Sequence, residues 1–567
     1  MGCLAEMFDG AGRRGRCRVG TAIVGAGVVL SGLAGVGVPA AGATPVTLYA
    51  GASASGSANC QSAANACTLT TALAATAPGD VVELVTAGVE GTASTYYSGG
   101  FSLATPGTSA AFPAVIEPAP GVVNPILDGA GANTVLTVAN SMHLVIDGVT
   151  IQNGRSNSQS GGGIVNNSGG TVTVNGSAFT GNNAVAGGAI ANGLGGSGTL
   201  TVTGSTFTGN GAAFGAAIAN GLGGSAMVTV TGSTFTNNTA GVDAGAIDNG
   251  GNSGSGTMTV TGSTFTGNNA ADGGAIDNGD TLGSGTVTVT GSTFTGNTGS
   301  VNGGAIDNGD NSDSATVTVT ESTFTGNTAG VDGGTIDSGD NGGTGNVVAA
   351  ADIFAGSCAQ SAGVWTDAGY NVGSDTTCQH GGTGDAHVAT LAGRLGPLAN
   401  NGGPTQTMLL LAGNPASGRI PNGSGVLCPL AADQTGAASP PSAWCNAGAL
   451  QPHPAIKSVR LSGTATTTVV TFKGSGFGAK ANLGPADLSC GGPATGTDHT
   501  NSNLFVSDLT NPWNAGQTCD AVGLVVTSYT NTKIVFSFQI GIVGTLQAGD
   551  QVKVTVLGAT KTVTAPF

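Results

Sequence analysis

The stretch STFTGNTAGVDGGTID, residues 322–337, holds one Phe and one Ile among Gly, Thr, Ser, Asn, Asp, Ala and Val. It decides the fold because it recurs. STFTNNTAGVDAGAID ends at Asp248, STFTGNNAADGGAID at Asp277 and STFTGNTGSVNGGAID at Asp307. Phe179, Phe207, Phe235, Phe265, Phe294 and Phe324 are spaced by 28, 28, 30, 29 and 30 residues. Ile151 continues the series backward and Phe354 forward. A second series, Ile164, Ile190, Ile218, Ile247, Ile276, Ile306 and Ile336, keeps nearly the same period. Self-similarity at such a period marks a stacked array.

Within each unit the residues before Phe alternate strictly, as in Thr316-Val317-Thr318-Val319-Thr320. Period two is the signature of a strand with one buried face. Gly-rich turns separate three short β-capable pieces per unit, and none has the length or spacing of a crossover helix. Parallel strands joined by turns, coil upon coil, give a β-solenoid. One unit cannot bury its own Phe, Ile and Val, but units stacked at about 4.8 Å align them into continuous columns. Asn182, Asn210, Asn238, Asn268, Asn297 and Asn327 each follow a Phe by three residues, and Asn166, Asn192, Asn220, Asn249, Asn278 and Asn308 each follow an Ile by two. Stacked amides at such positions can hydrogen-bond along the column.

The phased G-G-A-I and F-x-x-N motifs over about residues 145–355 resemble the polymorphic outer membrane protein repeat of bacterial exported proteins. Departures are mild: Gly215-Ala216-Ala217-Ile218, Ala244-Gly245-Ala246-Ile247, and Thr335 for Ala. That resemblance implies a right-handed parallel β-helix of the pectin-lyase type. Upstream, LTTALAATAPGDVVEL (residues 69–84) resembles the lead-in of bacterial β-helix proteins, which implies a short helix over 69–77 capping the open core. DAGYNVGSDTTC (367–378) and GPLANNGGPTQTMLLLAGNPA (396–416) resemble the choice-of-anchor Q domain, which implies completion of the β-helix. After a linker at Gln451-Pro452-His453-Pro454, residues 454–478 resemble the opening of an IPT/TIG domain. Alternation at 466–472, 533–538 and 551–557 suits a small immunoglobulin-like β-sandwich.

The expected chain is therefore all-β. Residues 1–43 form a signal peptide, 44–144 the cap and first coils, 145–355 the repeat helix, 356–451 its end, and 452–567 the sandwich. The signal reading rests on Arg13, Arg14, Arg16 and Arg18, an apolar run over 19–38 and the small residues Ala41-Gly42-Ala43. An uncleaved membrane anchor is its rival. No later run is long enough for a transmembrane helix.

Composition narrows the class further. The 103 glycines in 567 residues, about 18%, lack the period of collagen. Removing 1–43 leaves 10 basic against 28 acidic residues, net −18. No basic stripe exists for phosphates, which excludes nucleic acid as a partner. Eight cysteines remain, in close pairs: Cys60–Cys67, Cys358–Cys378, Cys428–Cys445 and Cys490–Cys519. Even number, local pairing and a signal point to disulfides formed outside the cytoplasm. A zinc site is the alternative, without C-x2-C spacing to support it.

No pattern assigns a catalytic or cofactor residue. Uronate lyase chemistry commonly needs an Arg or Lys base, and none lies between Arg155 and Arg394. Glycosidases need two placed carboxylates, whereas here the carboxylates recur with the repeat. His380 and His387 lie outside it. The reading is a secreted or cell-surface non-enzymatic protein, for adhesion or as a spacer, meeting an extracellular protein or glycan. A polysaccharide lyase or glycoside hydrolase is the alternative. Asp248, Asp277, Asp307 and Asp337 each follow a ladder Ile, so alternation directs them outward. Asp243, Asp272 and Asp332 form a second, interrupted row. Calcium, which takes roughly six to eight oxygen ligands, is the cation these rows would suit. A solvated acidic stripe is the plainer reading. Ala191 and Ala219 hold the equivalent positions earlier in the array.

Overall fold

A computed structural model describes residues 44–566, apart from 437–443, 476–500, 518–523, 540–546 and short breaks elsewhere. The repeats fold as a parallel β-helix. Each coil gives one strand to each of three sheets, of 13, 12 and 9 strands. The 13-stranded sheet takes the alternating Thr-Val segments, the 12-stranded sheet the Phe tripeptides and the 9-stranded sheet the Ile tripeptides. Identical residues are neighbours: Val287 pairs with Val317, Phe265 with Phe294 and Ile276 with Ile306, all in parallel.

The Phe column is continuous. From Phe179 to Phe324 successive rings stack at 4.6–4.8 Å, loosening to 5.4 Å at Phe354. Each ring is fully buried, contributing about 2–3 kcal/mol. The near-parallel stacking follows from strand register, which places one ring per coil at the spacing of neighbouring strands.

Both Asn series form hydrogen-bonded ladders. Asn192 Nδ2 donates to Asn220 Oδ1 at 2.7 Å, and Asn268 Nδ2 to Asn297 Oδ1 at 2.9 Å. The second ladder also accepts backbone amides, as where Asn238 N–H donates to Asn268 Oδ1 at 3.1 Å. A third ladder is made of serines. Ser263 N–H donates to Ser292 Oγ, and the series ends where Ser322 N–H donates to Asp352 Oδ1 at 2.7 Å. Beyond the three sheets, five coils add a short fourth one, from Gly211–Phe214 to Thr328–Ala329.

A helix at Leu69–Ala75 caps the N-terminal end, with Leu69, Ala72 and Leu73 buried. Thr68 caps it by accepting from the Thr71 amide. It stops short of Ala77, because the residue before Pro78 disfavours helical geometry. At the other end Trp365–Gly369, Val372–Gly373 and Ala386–His387 extend the sheets. The chain then makes a hairpin, Leu395–Ala399 with Thr407–Leu410, and runs back along the outside of the Phe sheet. There Gln434 Nε2 donates to Ser263 O at 3.0 Å and Thr264 Oγ1 at 2.9 Å, and Thr293 Oγ1 donates to Gln434 Oε1 at 2.6 Å. Ala449 N–H donates to Thr323 Oγ1 at 3.0 Å. The described residues of 395–451 thus form a strap that buries Thr264, Thr293 and Thr323.

From Ala455 onward two four-stranded antiparallel sheets share one core, including Val470, Phe472 and Phe536 on one sheet and Leu504, Val506 and Val554 on the other. This is a small β-sandwich. Disulfides join Cys60–Cys67, Cys358–Cys378 and Cys428–Cys445. Cys490, Cys519 and residues 1–43 lie outside the described residues. Among the described residues no helix is long and apolar enough to cross a membrane.

Candidate functional site

The Ile-Asp-Asn strands place the acidic row. Asp248, Asp277, Asp307 and Asp337 pair Cα to Cα in successive coils of the 9-stranded sheet. Alternation sends Ile into the core and Asp the other way. Yet the four carboxylates are buried, at 1%, 2%, 0% and 0% exposure, which overturns the solvated stripe. Glycines pack against two of them, Asp248 and Asp337. A Cβ on Gly251 would stand 3.1 Å from an Asp248 carboxylate oxygen, and one on Gly333 would stand 2.6 Å from Asp337 Cβ. Ala191 and Ala219 are equally buried, so the position is a covered slot that tolerates a methyl group.

The second row lies alongside. Asp243 bridges to Asp272, and Asn302 to Asp332, on adjacent coils. Asn302 fills the gap in the acidic series, and its backbone N–H donates to Asp272 Oδ1 at 3.1 Å. Asp310, which the sequence reading had not singled out, approaches from the turn after Asn308. Asp272, Asp307 and Asp310 each bring one carboxylate oxygen within 4.8 Å of the others.

The electrostatics of this cluster are severe. Neighbouring in-register carboxylates are about 5 Å apart. At an effective dielectric near 20, each fully ionised pair repels by roughly 3 kcal/mol. Three adjacent pairs would approach the net stability of an ordinary domain, about 5–15 kcal/mol. Residues 156–379 contain no Lys, Arg or His, so the coils offer no basic side chain of their own. Burial, then Asp337, Asp310 and Asp272, holds the Asp307 carboxyl well above the usual carboxylate range. The Asn308 amide opposes this, without reaching hydrogen-bond geometry. Asp337 is pushed up to about 7 by burial and then by Asp340, against the Ser338 amide at 2.8 Å.

A second carboxyl pair sits at a corner between the 13- and 12-stranded sheets. Glu321 is 1% exposed and Asp352 0%. Burial, then Asp352, pushes Glu321 up to about 9. Asp352 is also raised by burial, although it accepts backbone amides from Ser322 and Ala350. An acid beside a carboxylate is a pairing glycosidases use, but both groups are covered, and the strap's Gly448 N–H donates to the Ala351 carbonyl between them in sequence. At the end of the helix Asp385 is pushed up to about 7 by burial and by Asp367. His387 is exposed, with Nε2 at 3.0 Å from Ser374 O. His380 lies outside the described residues.

No protein-family model matches the chain, and no curated protein matches it. Among solved structures it is similar to pectate lyase Pel9A, at 14% identity and a TM-score of 0.31, over 60% of this chain and 82% of that one. It is also similar to a GH136 lacto-N-biosidase from Eubacterium ramulus, at 10% identity and a TM-score of 0.24, over 60% of this chain and 66% of that one. Neither likeness is close enough to carry an activity to this chain.

Proposed function

We propose that the protein is an extracellular, non-enzymatic β-helix that presents a regular threonine face to a partner at or beyond the cell surface. The observation that supports this is the outer side of the 13-stranded sheet. Thr201, Thr229, Thr259, Thr288 and Thr318 form one in-register column, and Thr203, Thr231, Thr261, Thr290 and Thr320 a second. Thr199, Met227, Thr257, Thr286 and Thr316 form a third, broken once. These side chains are exposed or half-buried, spaced at about 4.8 Å between coils. Hydroxyl and methyl groups on a rigid lattice suit a repetitive, hydroxyl-rich polymer such as a glycan.

The polymorphic outer membrane protein repeat, choice-of-anchor Q and IPT/TIG resemblances support the same location, as do the three disulfides. Fractionation of producing cells with protease shaving of intact cells tests the location. Recovery of the protein inside the shaved cells would overturn it. Incubation with polygalacturonate, alginate and neutral glycans tests the absence of catalysis. Unsaturated or reducing-end products above a boiled control would restore the lyase or hydrolase alternative.

A further inference from the structure

We infer that Asp272, Asp307 and Asp310 form a calcium-binding site, built across two coils. Calcium–oxygen distances of about 2.3–2.6 Å let two ligand oxygens stand at most about 5 Å apart. One oxygen from each of the three carboxylates lies within 4.8 Å of the others, so one ion can touch all three. Asp307 supplies the independent observation. Its side chain is 0% exposed and aimed into the cluster, and neither carboxylate oxygen has a hydrogen-bond partner. A buried carboxylate without donors is costly unless a cation or proton meets it. Asn302 strengthens the assignment: its amide oxygen is also buried and unbonded, while its backbone fastens to Asp272.

The donors are all oxygen, which selects a hard cation. Magnesium holds its water shell and demands octahedral geometry, whereas calcium accepts irregular carboxylate cages. Asn302, in the row position beside Asp272, brings no fourth charge. No basic side chain in residues 156–379 competes for the site.

The test uses the full secreted chain, stripped with EDTA and dialysed against radioactive calcium chloride. The expected result is about one calcium per chain, with half-saturation at or below about 1 mM, not displaced by tenfold magnesium. Asp307→Asn and Asp310→Asn should each weaken binding at least about 100-fold. Because Asn removes a buried charge at nearly constant shape, the Asp307→Asn melt in EDTA should equal or exceed the parent's. Should Asp307→Asn fail to fold, Asp310→Asn alone carries the comparison. No calcium retained by the parent at about 1 mM, equal binding by folded Asp310→Asn, or equal displacement by magnesium would each overturn the assignment.

Discussion

Replacing Glu321 by Gln should stabilise the protein at neutral pH and leave it unchanged in acid. Corresponding corners of earlier coils carry glycine at left-handed φ: 58° at Gly204, 56° at Gly232, 59° at Gly262 and 53° at Gly291. Glu321 takes the same conformation, φ 53°, with its Oε1 buried and without a hydrogen-bond partner. Burial and Asp352 push its carboxyl up to about 9. A folded value above the unfolded one means stability that is fully present below about 4.5 and is lost as pH rises through 9. At pH 7 the native state holds a proton that the unfolded chain releases, a cost of about 3 kcal/mol. Glu321→Gln removes that cost. Its advantage should be near zero at pH 4 and grow by about 1.4 kcal/mol per pH unit. Glu321→Gly should gain a further ~1 kcal/mol from relief of the left-handed backbone. Urea unfolding in EDTA, followed by circular dichroism from pH 4 to 8.5, reads both effects. Parallel pH profiles for parent and Glu321→Gln would refute the reasoning.

Two further substitutions probe the column and the strap. Phe265→Asp places a charge between Phe235 and Phe294, whose rings stand 4.7 and 4.6 Å away, and should cost about 5 kcal/mol or more. A parent-like melt would show that the ring lies outside the core. Gln434→Ala removes the bonds to Ser263, Thr264 and Thr293, a local loss of roughly 2–4 kcal/mol. Limited proteolysis should then cut within 395–451 sooner, and an unchanged cutting order would mean that Gln434 does not hold the strap.

Parallel in-register stacking explains why the helix was legible. When each coil lies on the last, a repeat period becomes a contact map, so Phe265 had to meet Phe235 and Phe294. The Asn ladders followed by the same logic. The serine ladder has the same period, but Ser after a Gly turn reads as loop chemistry. The strap was invisible because its bonds join residues such as Thr293 and Gln434, far apart in sequence and unrepeated. The short fourth sheet was missed because stretches such as Thr298–Gly299 carry no alternation. Alternation sets the Asp row opposite the Ile core. It does not say whether turns then cover what points outward, and that decides between a solvated stripe and a buried cluster. One signal went unused: Asp280, Asp310 and Asp340 recur two residues after the Asn or Ser that ends each Ile tripeptide. Glu321 was readable too, as the acid standing where earlier repeats have Gly.

Protons and calcium should compete for the acidic column, and Glu321 supplies an internal reference for that competition. Asp307 is raised by burial, Asp337, Asp310 and Asp272, and Asp337 is pushed up to about 7 by burial, Asp340 and Asp332. Without calcium, the stability these groups contribute is present in acid and declines as pH rises through about 7. Calcium needs the ionised carboxylates, so its stabilisation should be small at pH 5 and full at pH 8. At a concentration tenfold above Kd the full gain is about 1.4 kcal/mol. The difference between melts in calcium and in EDTA should therefore widen with pH. The Glu321→Gln advantage should persist unchanged in both buffers, because Glu321 sits at a corner between the other two sheets. A calcium effect of equal size at pH 5 and pH 8 would place the ion on carboxylates ionised throughout that range, and hence outside this column.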